Sequence, residues 1–272
     1  MATSDGYALS VVESRSAEAQ RSESAVLLLH GRTWSSQPVW VETGTLGGAL
    51  GDRDRFAMDF RGFGRTPERA ADGLLRPSTC ASDVRRVVEF LRCDLGYARV
   101  DLVGWSYGAL VAQLVADAAD RLVLYASVWD RAGAYRGEAG KWTCDDFGCS
   151  SPTARGEQTL EGCLSDFTLP GTISEDRAMT FALAALAADP VAVDWACLDE
   201  FAVDLRGIRT PTLVIYGDRD PDAPAAEQLA LYEGIGAERK ELATIPGADH
   251  VAHVLDTARD EWAARVRAFL DA

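Results

Sequence analysis

Three residues whose side chains can together perform nucleophilic catalysis occur in the order Ser106, Asp220 and His250, each at the end of a separate predicted strand. A serine hydroxyl is a poor nucleophile unless a base accepts its proton, and histidine is the usual base because its pKa lies near neutral pH. A carboxylate that bonds the histidine fixes its tautomer and stabilises its charged form. The order of these three residues therefore favours a serine nucleophile served by an acid and a histidine.

The segment around Ser106, VDLVGWSYGAL at 100–110, is typical of a buried strand, a sharp Gly-x-Ser-x-Gly turn and the start of a helix. Such a turn needs small neighbours, here Gly104 and Gly108, so that strand and helix can approach closely. The N–H of Tyr107, in the first helical turn, could then stabilise a developing oxyanion. The alternative interpretation is a tight turn with an incidental serine.

The residues alone leave the partners of this serine open. His250 and His253 both follow the last predicted strand, and either could reach a serine at the carboxyl edge of the sheet. Asp218 and Asp220 both follow a strong strand and could be ordinary turn residues. The third histidine, His30, is predicted to brace the loop after an early strand rather than to act as the base.

Strands that end in Gly or Asp alternate with helical patterns, which predicts a mostly parallel sheet covered by helices on both faces. The predicted strands are 25–29, 55–60, 99–103, 121–127, 211–216 and one near 239–245, with a leading hairpin around 7–14. The predicted helices are 79–95, 107–119, 174–188 and 257–271. This alternation of strands and helices stops between 129 and 205, which predicts a helical cap (129–205) inserted into one core domain (1–128 and 206–272).

The amino-acid composition limits the classes of molecule that the protein is expected to bind. The chain of 272 residues has 42 acidic and 27 basic residues and a net charge of −15, which repels nucleic acid and anionic membranes. The first residues lack a signal-peptide pattern and no segment is long and apolar enough to span a bilayer, so we expect a cytoplasmic protein. No cysteine or histidine cluster has metal-ligand spacing, and Cys144 and Cys149 are expected to be free thiols. We therefore expect a small-molecule substrate and no metal or other cofactor, while the oligomeric state is left undetermined.

Five motifs spread from about residue 25 to 250 are similar to those of the α/β-hydrolase superfamily. These are HG at 30–31 for the oxyanion loop, DFRGFGRT at 59–66 for the Asp-x-Arg-Gly-x-Gly-x-Ser signature, GWSYG at 104–108 for the nucleophile elbow, and GDRD at 217–220 and GADH at 247–250 for the acid and histidine loops. The chain resembles the branch of small, lidded serine hydrolases. The resemblance implies an eight-stranded type of sheet with a cap.

The resemblance assigns roles by position. It implies Ser106 as nucleophile, His250 as base and Asp220 as orienting acid, with the backbone N–H groups of Tyr107 and Arg32 as the oxyanion hole. A serine at the elbow differs from the aspartate of haloalkane dehalogenases and epoxide hydrolases, and GRTW at 31–34 lacks the Gly-Gly run of carboxylesterases and lipases.

The resemblance leaves the roles of three residues undecided. His253 is then interpreted as a helix-start residue on the pocket side or the surface. Asp130 is the competing acid, because some members of the superfamily place the acid after the preceding strand. The Arg32 side chain could bind a substrate carboxylate or pair with one of the many acids.

Several aromatic residues lie next to motifs or in the predicted cap and could line a substrate pocket, although each could instead be core packing. These candidates are Trp34, Trp105, Trp129, Trp142 and Phe181. The resulting hypothesis is a serine hydrolase that cleaves an ester, lactone, thioester or amide of a small, largely apolar molecule through an acyl-enzyme. Two alternatives are an acyltransferase or non-hydrolytic biosynthetic enzyme with the same three residues, and a ligand-binding protein of hydrolase descent.

Overall fold

The computed structural model describes residues 1–14, 22–51, 53–66, 76–128, 157–190 and 203–272. Trp129, Asp130 and Trp142 lie outside the described residues, as do Cys144 and Cys149. The predictions for these five residues therefore stay predictions, and so do the limits of the cap at 129 and 205. The three cysteines that the structure does describe as free are Cys80, Cys93 and Cys163.

The described residues form one seven-stranded sheet in the order β1-β3-β2-β4-β5-β6-β7. Its strands are β1 Val11–Ser14, β2 Ser24–Leu29, β3 Asp54–Met58, β4 Arg99–Trp105, β5 Leu122–Tyr125, β6 Thr212–Gly217 and β7 Lys240–Ile245. All neighbouring pairs are parallel except β1 with β3. The sheet of the expected fold is therefore confirmed, with seven strands in the described residues where eight were expected.

The predicted hairpin around 7–14 is wrong. β1 pairs with β3, where Val11 lies opposite Met58, while Ala2 and Ala8 form an isolated antiparallel bridge. A strand added to a distant partner gives no local turn signal, so the sequence could not reveal its pairing.

The described part of the chain contains six α-helices. They are α1 Pro77–Glu89, α2 Tyr107–Leu114, α3 Leu160–Leu164, α4 Glu175–Ala188, α5 Ala225–Gly234 and α6 Arg259–Asp271. α1 continues as a wider helical turn to Asp94, which agrees with the predicted helix over 79–95. The predictions did not include α5, which follows the strand that carries Asp220. No described helix has both the length and the apolar character needed to cross a membrane.

The apolar side chains of the sheet point alternately to two separate cores. One face packs against α1, α2 and α5 through residues such as Val84, Leu110 and Leu231. The other face packs against α6, and its core also includes Phe181 and Ala185 of α4. Because both faces are covered, the central strands are almost continuously apolar, as parallel strands usually are.

Candidate active site

Ser106 occupies the sharp turn between β4 and α2 in a strained backbone conformation. Its φ of 55° and ψ of −117° lie outside the regions that non-glycine residues normally adopt. A Cβ atom on Gly104 would lie 2.4 Å from the carbonyl oxygen of Gly108, and one on Gly108 would lie 2.5 Å from that of Leu29. The two glycines are therefore needed for this close approach, as the sequence predicted for a nucleophile elbow.

Asp220 and His250 form a hydrogen-bonded pair at the ends of β6 and β7. The Nδ1 atom of His250 lies 2.8 Å from Oδ2 of Asp220. The other carboxylate oxygen, Oδ1, accepts hydrogen bonds from the backbone N–H groups of Asp222 at 2.8 Å and Ala223 at 2.9 Å. The carboxylate is thus held by its own turn, and its bond to Nδ1 leaves Nε2 as the ring nitrogen of His250 that can exchange a proton.

The surroundings of His250 favour its charged form. Burial lowers the pKa of the imidazole, but the negative charge of Asp220 and its hydrogen bond outweigh this effect. Asp222 and Asp166 add to the attraction, and together these carboxylates raise the pKa of His250 to about 9. This ring can therefore hold a proton firmly next to Asp220.

The strand that ends at Ser106 also fixes the loop that carries His250. Trp105 Nε1 donates a hydrogen bond to the backbone oxygen of His250 at 2.8 Å, and its ring centre lies 5.4 Å from that of the imidazole. Tyr125 of β5 donates its hydroxyl to the same oxygen at 3.0 Å. The histidine loop is therefore anchored beside the elbow by two aromatic side chains, of which the sequence analysis identified only Trp105.

Asp218, the other aspartate of the acid loop, has a different partner. Its Oδ1 accepts a hydrogen bond from the backbone N–H of Gly247 at 2.7 Å. Asp218 thus joins the acid loop to the histidine loop, while Asp220 bonds the imidazole itself.

His30 braces the loop after β2, as the sequence predicted. Its Nε2 accepts a hydrogen bond from the backbone N–H of Phe60 at 3.0 Å, so Nδ1 carries the proton that bonds Gly31 oxygen at 2.7 Å. Burial lowers the pKa of this histidine below its ordinary range. His30 is therefore a neutral structural residue that joins two loops.

The expectation that His253 starts a helix or lies at the surface is wrong. Its side chain is buried at 2% exposure among aromatic rings, and α6 begins only at Arg259. Trp40, Trp105 and Tyr125 lie 4.9, 5.2 and 5.4 Å from it between ring centres. Burial and the nearby charge of His250 lower the pKa of His253 to about 3, so it is a neutral core residue.

The two residues of the predicted oxyanion hole lie on the two segments that flank Ser106. Tyr107 is the first residue of α2, where backbone N–H groups have no acceptor within the helix. The loop before Arg32 passes close to the elbow, because a Cβ atom on Gly31 would lie 3.3 Å from that of Ser106. Their part in binding an oxyanion stays a prediction.

The described aromatic candidates are buried. Trp34, fully buried, donates its Nε1–H to Oδ2 of Asp166 and packs edge-on against Phe181 with ring centres 6.5 Å apart. Phe181 is 3% exposed and also contacts Phe167. These contacts join the cap segment to the core, and direct contact of Trp34, Trp105 or Phe181 with a substrate stays a prediction.

One group of side chains in the described residues could hold a cation. Ligand atoms of Asp220, Asp222 and His250 all lie within 4.8 Å of one another, although the spacing of these residues in the sequence gave no metal signal. A cation held through Nδ1 of His250 would have to displace the hydrogen bond to Asp220. The group is therefore better suited to orienting the imidazole than to holding a resident metal.

Comparisons with known proteins agree with this geometry. Residues 26–265 match the model of the alpha/beta hydrolase family. A hydrolase from Pseudomonas aeruginosa PA01 is similar in structure at 23% identity and a TM-score of 0.72, with 100% of this chain and 97% of that chain covered. A thermophilic esterase from Thermogutta terrifontis is similar at 19% identity and a TM-score of 0.71, with 99% and 95% covered.

A monoacylglycerol lipase from Paleococcus ferrophilus is similar at 17% identity and a TM-score of 0.67, with 97% of this chain and 99% of that chain covered. The comparison with curated protein sequences gives no match. At these identities the structural matches establish the fold, while the family match covers most of the sequence. The chain belongs to the alpha/beta hydrolase family and has the fold of hydrolase-type enzymes.

Proposed function

We propose that the protein is a serine hydrolase in which Ser106, His250 and Asp220 cleave an ester, lactone, thioester or amide of a small molecule. The observation that carries this proposal is the 2.8 Å hydrogen bond between Asp220 and His250 on a loop anchored to the elbow. The strained conformation of Ser106 supports it, because such strain persists where the turn must expose a nucleophile.

In the proposed reaction, Oγ of Ser106 attacks the carbonyl carbon of the substrate and its proton passes to Nε2 of the neutral form of His250, whose share grows as the pH rises toward 9. The backbone N–H groups of Tyr107 and Arg32 stabilise the oxyanion that forms. The imidazolium then gives its proton to the leaving group as the carbon–oxygen, carbon–sulfur or carbon–nitrogen bond breaks, which leaves an acyl-enzyme. Water, deprotonated by the same imidazole, releases the acid and restores Ser106.

The proposal is tested with a serine-directed fluorophosphonate probe and an activated ester. We expect the wild type to be labelled at Ser106, and the Ser106→Ala variant to be unlabelled and about 10⁴- to 10⁶-fold less active in kcat. Asp220→Asn keeps the shape of the acid but favours the wrong tautomer of His250, so we expect kcat to fall by about 10⁴-fold with the fold intact.

The Asp218→Asn variant is the matched control, because it changes the other aspartate of the same loop, which bonds a backbone N–H. We expect it to retain most of the activity. Full activity of a pure Ser106→Ala preparation would overturn the proposed mechanism, and an Asp218 variant less active than the Asp220 variant would move the acid to the other aspartate.

A further inference from the structure

Asp166 of the cap lies between the two loops that carry the proposed catalytic groups. Its Oδ2 accepts the Nε1–H of Trp34, on the loop after β2. Two residues further on, the N–H and Oγ1 of Thr168 both donate to Oδ2 of Asp249, at 3.0 and 2.8 Å, and Asp249 directly precedes His250. The segment 166–168 is thus tied on one side to the predicted oxyanion loop and on the other side to the histidine loop.

Among the described residues, no lysine or arginine forms an ion pair with Asp166. In the parts of the chain that the structure describes, the indole of Trp34 is the one hydrogen-bond donor to this carboxylate. Its charge acts instead on His250, where it stabilises the imidazolium, and it is repelled by Asp222 and Asp249. A partly buried carboxylate in such surroundings is stabilised by any cation that enters the site.

We propose that Asp166 is a specificity-determining residue that favours substrates with a positively charged group over neutral or anionic substrates of the same shape. The class would include esters and amides of amino acids and of amino alcohols. This inference deepens the proposed serine hydrolase function and rests on it. It also adds a cationic group to the largely apolar substrate that the sequence suggested.

The carboxylate attracts a cation only when it is ionised. Burial raises the pKa of Asp166 to about 6, against the hydrogen bond from Trp34 and the charge of His250. The groups that face it are the indole of Trp34, the imidazole of His250, the carboxylates of Asp222 and Asp249, and the thiol of Cys163, whose pKa burial and the charge of Asp166 raise. The preference for a cation should therefore appear as the pH rises through about 6.

The experiment compares two 4-nitrophenyl esters whose acyl groups match in shape, 4-(trimethylammonio)butanoate and 5,5-dimethylhexanoate. The measured quantity is the ratio of kcat/KM for the cationic ester to that for the neutral ester. Comparing this ratio between variants cancels the intrinsic reactivity of the esters. It also cancels the effect of His250 protonation on the rate, since hydrolysis of both esters needs the same base.

The Asp166→Asn variant keeps an oxygen that can accept the indole N–H but removes the charge, and we expect its ratio to fall about tenfold. Asp166→Glu keeps the charge and should keep most of the preference. Asp176→Asn removes the same charge from an exposed position in α4 and should leave the ratio unchanged. In the wild type the ratio should rise between pH 5 and 7.5, whereas in Asp166→Asn it should stay flat.

A ratio that changes less than twofold in Asp166→Asn, in a folded enzyme that hydrolyses the neutral ester normally, would overturn the proposal. So would an equal fall in Asp176→Asn, because the effect would then come from net charge alone. A protein that hydrolyses neither ester, or a Ser106→Ala variant that still hydrolyses both, would instead overturn the serine hydrolase function on which the proposal rests.

Discussion

At the scale of single residues, the two histidines of the last loop lie in opposite electrostatic surroundings although only two residues separate them. His250 bonds the carboxylate of Asp220 and has its pKa raised to about 9. His253 is enclosed by aromatic rings and has its pKa lowered to about 3. The spacing of two histidines in a sequence carries no information about this difference, because it depends on partners from other strands.

The titration of the histidine rings tests these surroundings directly. Because the folded pKa of His250 is raised, the pair with Asp220 stabilises the fold fully below the ordinary pKa of about 6.5 and loses this contribution as the pH rises through about 9. With only three histidines in the chain, nuclear magnetic resonance of ¹⁵N-histidine-labelled protein can follow each ring. We expect one titration midpoint near pH 9, which belongs to His250, and none near pH 6.5. In Asp220→Asn the midpoint of His250 should move to a lower pH.

Single substitutions should separate the two histidines by function. His250→Ala removes the proposed base, so we expect kcat to fall about as far as in Ser106→Ala, in a protein that still folds but has lost the stabilising pair with Asp220. His253→Ala leaves a cavity among aromatic rings, and we expect it to lower the free energy of unfolding by about 2–4 kcal/mol with most of the kcat retained. A larger loss of kcat in the folded His253 variant would assign the base to that residue.

At the scale of elements, the described cap segment 157–190 is held to the core by carboxylates that accept backbone N–H groups. Asp189, which follows α4, accepts from Ser35 and from Gly64, both at 2.8 Å. Asp256 accepts from Ser174, at the start of α4, also at 2.8 Å. Movement of this segment away from the sheet would break these bonds, so opening of the cap as a lid would carry a substantial energetic cost.

The contribution of these bonds can be measured at Asp189, which is buried and bonds the core with both oxygens. Asp189→Asn turns one acceptor into an NH₂ group that faces a backbone N–H. We expect the free energy of unfolding to fall by about 1–3 kcal/mol and proteolysis within 157–190 to become faster. Asp176→Asn, on the exposed side of α4, is the control, and equal stability of both variants would contradict the anchoring role.

At the scale of the whole molecule, the parallel sheet brings separate loops to one edge. The turn with Ser106, the acid loop and the histidine loop follow β4, β6 and β7 respectively. The carboxyl ends of parallel strands lie on the same side, so residues far apart in the chain converge without any local contact between them. The proposed reaction then needs only side chains and backbone groups of the protein.

We therefore expect activity to be independent of metal ions. Dialysis against ethylenediaminetetraacetate or 1,10-phenanthroline should leave kcat/KM unchanged, because the proposed proton transfers involve only Ser106, His250, the leaving group and water, while Asp220 orients the imidazole. Elemental analysis of the active protein is the accompanying measurement. Activity lost to a chelator and restored by a divalent cation would contradict the metal-independent mechanism and point to the Asp220, Asp222 and His250 group.

The sequence by itself determined the sheet, the elbow and the candidate catalytic residues. Apolar strands between glycine and aspartate turns specify a buried parallel sheet, and Gly104 and Gly108 specify the turn at Ser106, because these signals are local. Only the tertiary structure decided that Asp220 rather than Asp218 bonds His250, that His253 is buried, that β1 joins β3, and that Asp166 lies near enough to His250 to raise its pKa. Each of these depends on contacts between distant segments, whose geometry no local pattern of residues encodes.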